Sequence, residues 1–148
     1  MSKANVRLAR NGYAAIARGD LDAVAELLAP DVRWHGGDPD AEGACRNREQ
    51  ALAFVRNRAQ ASMGELVDVI DAGDSVVVVM QPAAQGGETA PRRANVTSFR
   101  DGQVLEMIAF ESPEAALAHV ARTRRDVQRA AEHVPPGTTE ERGAWPSA

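Results

Sequence analysis

Residues 93–111, RANVTSFRDGQVLEMIAFE, read as two β-strands folded back on one turn. Val96, Thr97, Phe99, Val104, Ile108 and Phe110 are β-branched or aromatic side chains that suit a pleated surface. Asp101-Gly102 between them is an Asp-Gly pair of the kind that closes hairpins. The expected strands are 93–100 and 103–111. Upstream, residues 65–71 and 75–81 share this composition on either side of Ala72-Gly73-Asp74, and Pro82 to Pro91 makes a wider connection. Consecutive strands linked this way run antiparallel, because parallel neighbours need a crossover of roughly a dozen residues or more.

Outward from this meander the period changes. Val6, Ala9, Tyr13 and Ile16 fall on one helical face, so Val6 to Arg18 is an amphipathic helix stopped by Gly19. Asp20 is an N-cap for a second helix that buries Leu21, Val24, Leu27 and Leu28 and ends before Pro30. Val32 to His35 is a short strand, and Gly36 to Cys45 is a loop. Asn47, with Gln50 three residues on, opens a third helix that buries Leu52, Val55 and Ala59 and stops near Gly64. Ser112-Pro113-Glu114 opens a last helix running to about His133, with Arg122, Arg124, Arg125 and Arg129 on a solvated face. Residues 134–148 form a disordered tail apart from any docking by Trp145. Helices followed by a meander give an α+β class, with residues 1–133 as a single domain.

Composition excludes several functions. The 148 residues, 44% apolar and 26% charged, suit one soluble domain. Lys and Arg number 17 against 21 Asp and Glu, a net charge of -4 that argues against nucleic acid or an anionic membrane as partner. The longest apolar run, Val76 to Met80, is too short to span a bilayer. Cys45 is the single cysteine, so the expected compartment is a reducing cytoplasm. Three histidines on separate elements offer no metal-ligand pair, and Gly36-Gly37 and Gly86-Gly87 lack the lysine of a phosphate cradle. No metal or other cofactor is expected.

Four segments, 13–22, 27–34, 47–51 and 98–106, resemble the nuclear transport factor 2-like superfamily. Their texts are YAAIARGDLD, LLAPDVRW, NREQA and SFRDGQVLE. That superfamily includes ketosteroid isomerases and SnoaL-like polyketide cyclases, and the resemblance covers about residues 5 to 120. It implies a cone-shaped, curved antiparallel sheet wrapped around the N-terminal helices, with a ligand pocket at the open end and a homodimer formed through the sheet. The activity it implies is cofactor-free isomerisation, cyclisation, dehydration or hydrolysis of a small apolar molecule by acid/base chemistry. The alternative is a non-catalytic dimeric module whose cone is filled by its own side chains. The valine strand Val76 to Val79, apolar on both faces, also calls for cover by a second copy.

The resemblance places Tyr13 near the oxyanion-hole tyrosine of the isomerases, where a phenol donates to a carbonyl oxygen or developing enolate. It places Gly36 where the isomerases carry their base, with Asp38 two residues on as the nearest carboxylate or else a turn residue. Asn95 or Thr97 falls where the isomerases have a protonated acid, and Asn95 can donate a neutral hydrogen bond there or bond across strands. From the residues themselves, His35 is the acid/base candidate, because imidazole titrates near neutrality. Trp34 and His35 face opposite sides of their strand. Trp34 either floors an apolar pocket or fills the core. Phe99 shares the face of Arg93, Asn95 and Thr97 by period two. Glu106 is either an inward carboxylate partnered by Arg93 or Arg100, or a solvated edge charge. The expected set is thus His35, Tyr13 and Asn95 as catalytic groups, with Trp34, Asp38, Thr97, Phe99 and Glu106 binding ligand.

Overall fold

The computed structural model of the chain describes residues 2–62, 64–82, 87–88 and 90–132. Gly86, His133, Trp145 and the expected tail 134–148 lie outside the described residues. In order the elements are α1 (Ser2–Ala17), α2 (Leu21–Leu27), β1 (Leu28–His35), α3 (Arg48–Ser62), β2 (Glu65–Asp71), β3 (Ser75–Gln81), β4 (Arg93–Arg100), β5 (Gln103–Phe110) and α4 (Pro113–Glu132). The chain falls into two compact units, Met1–Leu117 and Ala118–Ala148. Among the described residues no helix is long and apolar enough to cross a membrane.

Local chemistry sets most boundaries. The Ala23 N–H donates to the Asp20 carboxylate at 3.1 Å and caps α2. Asn47 receives the Gln50 N–H at 2.9 Å, while the Gln50 side chain accepts the Arg46 N–H at 2.7 Å, so two orphan donors at the start of α3 are satisfied together. Ser112 accepts from the Ala115 N–H at 3.1 Å, with Pro113 at the first position of α4. At Asp101-Gly102 both residues have positive φ, 53° and 79°, which is the backbone of a two-residue hairpin turn whose twist matches the strands.

The curved five-stranded sheet has the order β1-β5-β4-β3-β2. Strands β2 to β5 form the expected antiparallel meander. The sheet as a whole is mixed, however, because β1 joins β5 in parallel. Helix α3 and three strands separate β1 from β5, ample chain for a parallel crossover. Strand β1 is also longer than expected: it begins at Leu28, which the helical reading had placed on α2. Proline disfavours helical backbone at the residue before it, so Pro30 forces Ala29 into extended chain, and an edge strand tolerates its missing N–H.

Rows of Cα partners assign the two faces. Val76, Thr97, Met107 and Trp34 form one row, and Val77, Val96, Ile108 and His35 the next, on the opposite face. The first face packs against α1, where Ala9 and Tyr13 meet Val76, Val78 and Met80. A second cluster joins Ala15, Val24, Leu28, Val32, Val104 and Met107. Phe99 packs against both clusters. Each valine fully withdrawn from water contributes about 1.5–3 kcal/mol. On the other face Val77 is 0% and Val79 5% exposed in a single chain, so the valine strand itself does not require a second copy.

A bulge lies between Ser98/Phe99 and Glu106/Val104: Ser98 partners Glu106, Phe99 partners Val104, and Leu105 is the extra residue. It breaks the alternation along β5, so that Glu106 shares the face of Ile108 and not that of Val104. In the unit from Ala118 onward, Arg122, Arg124, Arg125 and Arg129 of α4 are exposed, as expected, and Arg129 meets Asp126 at 3.5 Å.

Candidate functional site

Tyr13 belongs to the apolar stripe of α1, and that stripe sets its ring against the sheet where Asn95 and Thr97 face the helix. Three side chains then connect in series. The Thr97 hydroxyl donates to Asn95 Oδ1 at 2.6 Å, and Asn95 Nδ2 donates to the Tyr13 hydroxyl oxygen at 2.8 Å. Asn95 and Thr97 are buried. The amide orientation follows from this network, with each group satisfied by the next. The Tyr13 hydroxyl hydrogen meets no acceptor among the described residues. Burial pushes the Tyr13 phenol above its ordinary value, and the hydrogen bond from Asn95 offsets part of that rise, so the group is a neutral donor at neutral pH.

That donor borders a cavity of about 240 Å³ lined by Tyr13, Trp34, Phe54, Met80, Arg93 and Asn95 among others. Trp34 and Phe54 meet edge to face, ring centres 4.7 Å apart. Both also line a neighbouring space of about 260 Å³ that includes His35, Glu42 and Cys45. Deeper, between α1, α2 and the sheet, the interior holds only about 40 Å³ and is apolar but for Tyr13 and Thr97. A larger open groove, about 410 Å³ along α1, α2 and Gly102, contains none of the expected site residues.

His35 does not join Tyr13 and Asn95. It stands on the opposite face of the sheet, its side chain 3% exposed, with Nε2 2.8 Å from a Glu106 carboxylate oxygen. The Gly37 N–H donates to His35 Nδ1 at 3.0 Å, so Nδ1 carries no proton and the ring proton sits on Nε2, donated to Glu106. Gly37 turns its N–H back with φ of 123°, a conformation that side chains disfavour. Both ring nitrogens are occupied, which leaves no lone pair for a substrate proton. The parallel pairing of β1 with β5, together with the bulge at Leu105, creates this contact, and neither was legible in the local sequence.

The remaining candidates separate. Asp38 is exposed and accepts the Asp40 N–H at 2.9 Å, a turn residue that lines neither cavity. Arg100 pairs with Asp31 at 2.8 Å, not with Glu106. Phe99 is a core residue between the two clusters. Cys45 is buried and bridged through its backbone to Trp34, and burial pushes its thiol up, away from a reactive thiolate. Sequence reasoning missed Phe54, which lies off the stripe that Leu52 and Val55 define on α3. Among the described residues no group of three or more His, Cys, Asp or Glu is placed to hold a metal ion.

A family model described as SnoaL-like domain matches residues 9–107, which include β1 to β4 and the first part of β5. The chain belongs to the SnoaL-like domain family. An uncharacterized protein of Mycobacterium tuberculosis is 27% identical to this SnoaL-like chain over 121 residues, covering 76% of it and 92% of the relative. Among solved structures, Bal32a from a soil-derived mobile gene cassette aligns with TM-score 0.61 and 24% identity over 74% of this chain and 89% of that one. A Sinorhizobium meliloti protein named as a candidate polyketide cyclase aligns with TM-score 0.58 and 18% identity over 74% and 99%. At those identities both likenesses speak to the fold, and the chemistry of the SnoaL-like domain rests on its own site.

Proposed function

We propose that this SnoaL-like domain binds a small, mainly apolar carbonyl compound and polarises its oxygen through Tyr13, for cofactor-independent proton-transfer chemistry of the isomerase, cyclase or dehydratase kind. The observation that carries the reading is the Thr97–Asn95–Tyr13 chain, which ends on an O–H without an acceptor among the described residues, in a side chain that lines a 240 Å³ cavity. Hydrogen bonds in series polarise one another, so Asn95 strengthens Tyr13 as a donor. A donor fixed where negative charge develops stabilises an enolate-like state without reorganising during the reaction. Asn95 and Thr97 orient Tyr13 in this reading, Trp34 walls the apolar part, and His35 with Glu106 holds the Gly36-Gly37 loop in place of serving as the base. The polyketide cyclase name of one structural neighbour supports the same class.

A second reading, binding without turnover, draws on a different observation: among the described residues the cavity lining contains no carboxylate and no imidazole that could serve as a base beside the donor. One experiment separates the two. The probe is 4-acetylbenzoate in deuterated buffer, with exchange of its methyl protons followed by NMR and binding followed by Trp34 fluorescence in a Trp145→Phe background. Faster exchange than in buffer, abolished by Tyr13→Phe, supports the enzymatic reading. Binding without exchange leaves the second, and no binding refutes both. The homodimer is proposed on the resemblance alone, and a monomer in sedimentation equilibrium at micromolar concentration would dismiss it. A reducing cytoplasm is proposed from the lone thiol of Cys45, and fractionation of the source cells tests it.

A further inference from the structure

Arg93 opens β4 and shares a face with Asn95 and Thr97, successive same-face positions lying about 7 Å apart along a strand. It lines the same cavity as Tyr13 and Asn95. Its neighbour Arg92 is tied to Gln81 at 3.4 Å, and Arg100 is tied to Asp31, but the Arg93 guanidinium meets no carboxylate or carbonyl among the described residues. Among the described residues no acid lines this cavity, whereas the adjoining space beyond Trp34 and Phe54 carries Glu42. The pair of cavities is therefore polarised, with a cation that has no anionic partner among the described residues beside the Tyr13 donor and an anion at the far side.

We infer that the ligand is a carboxylate-bearing carbonyl compound, a small aromatic or aliphatic keto acid, with its carboxylate on Arg93, its carbonyl oxygen on Tyr13 and its apolar body against Trp34, Phe54 and Met80. The carbonyl half of this inference rests on the proposed function, and the carboxylate half stands on Arg93. Guanidinium suits a planar carboxylate because its fork of N–H groups matches the two oxygens. Its exposure sets the scale, since an exposed ion pair changes affinity only a few-fold and weakens with salt. Glu42 repels the same carboxylate from the other end, so ligand polarity and cavity polarity fix one orientation.

Three probes of similar size test the two halves separately: 4-acetylbenzoate, its neutral analogue 4′-methylacetophenone, and 4-isopropylbenzoate, which lacks the carbonyl. Binding is read by Trp34 fluorescence in the Trp145→Phe protein. The expected result is roughly fivefold tighter binding of 4-acetylbenzoate than of the neutral ketone at low salt. Arg93→Gln should erase that advantage without changing the neutral ketone, Arg93→Lys should restore part of it, and half-molar salt should remove it. Equal binding of the two ketones, or a loss on Arg93→Gln shared by both, would overturn the anion-binding role. Binding of 4-isopropylbenzoate alone, indifferent to Tyr13→Phe, would instead sink the carbonyl reading and leave Arg93 in place. If none of the three binds, both halves fall.

Discussion

Thr97, Asn95 and Tyr13 on one face of the sheet, and Gly37, His35 and Glu106 on the other, are both polar clusters set among apolar side chains, yet their hydrogen bonds end differently. The second cluster is closed: Gly37 gives its N–H to one nitrogen of His35, and the other nitrogen gives its proton to Glu106. The first is open: its last member, Tyr13, accepts from Asn95, lines the cavity, and has no acceptor for its own proton among the described residues. A buried polar group costs free energy unless it is paired, so a closed cluster needs nothing further. An open one is under-satisfied until something else supplies an acceptor. Residue chemistry alone favours His35 as the functional group, and the bonding pattern favours Tyr13.

The comparison can be broken at several places. The largest effect is expected for Asn95→Ala, which cuts the open chain at its centre and strands the Thr97 hydroxyl. Stability measured by urea unfolding should fall by about 1–3 kcal/mol, and carbonyl probes should bind more weakly, by up to the roughly tenfold that loss of the Tyr13 donor costs. Next, His35→Leu removes the closed pair and should cost about 1–2 kcal/mol through the unpaired Gly37 N–H, with probe binding unchanged. If His35→Leu instead abolished proton exchange while stability held, the roles assigned to the two clusters would have to be exchanged. Tyr13→Phe should weaken carbonyl probes roughly tenfold and, by leaving the buried Asn95 amide N–H without its acceptor, lower stability by about 1–2 kcal/mol.

Two titrations sharpen the contrast with smaller effects. Tyr13 is the single tyrosine, so ultraviolet absorbance of tyrosinate reports it alone. Its folded-state value is raised above the ordinary 10.0, first by burial, so the folded protein holds the phenol proton more tightly than the unfolded chain. That contribution to stability is complete below pH 10 and is lost as pH rises through the folded value. A tyrosinate signal appearing before pH 10 would contradict a buried donor. Asp31 behaves in the opposite sense at the exposed rim: the hydrogen bond from Arg100 holds its carboxyl below the ordinary 3.8. Its stabilisation is present above that pH and lost as pH falls through the folded value, and Asp31→Asn should abolish this small acid dependence, as should added salt.

Much of the architecture was legible locally. Asp20, Asn47 and Ser112 announce helix starts by the hydrogen bonds their side chains make within three residues, and Asp101-Gly102 announces its turn by the positive φ it accepts. The Leu28 boundary was misread because a buried leucine fits a helical stripe and a strand equally well, and only Pro30 distinguishes them. Of the site, Tyr13, Asn95 and Thr97 were each legible as candidates, and period two already set Trp34 against His35. Their connection into one chain was not, since Tyr13 and Asn95 are 82 residues apart. Glu106 was ambiguous for a different reason: nothing local says which face of β5 is covered, and no residue at Leu105 marks the bulge that separates Glu106 from the face of Val104.

The sequence by itself determined the elements, the antiparallel meander and the family pattern, because propensity, capping and hydrophobic period act between residues close in the chain. Tertiary structure alone decided that β1 joins β5 in parallel, that His35 is spent on Glu106 and Gly37, and that Tyr13 and Arg93 border one cavity. Those facts depend on which strands become neighbours and on which face each side chain turns. That choice is made by burying both faces of the valine-rich strand β3 at once, a property of the whole sheet that no local stretch encodes.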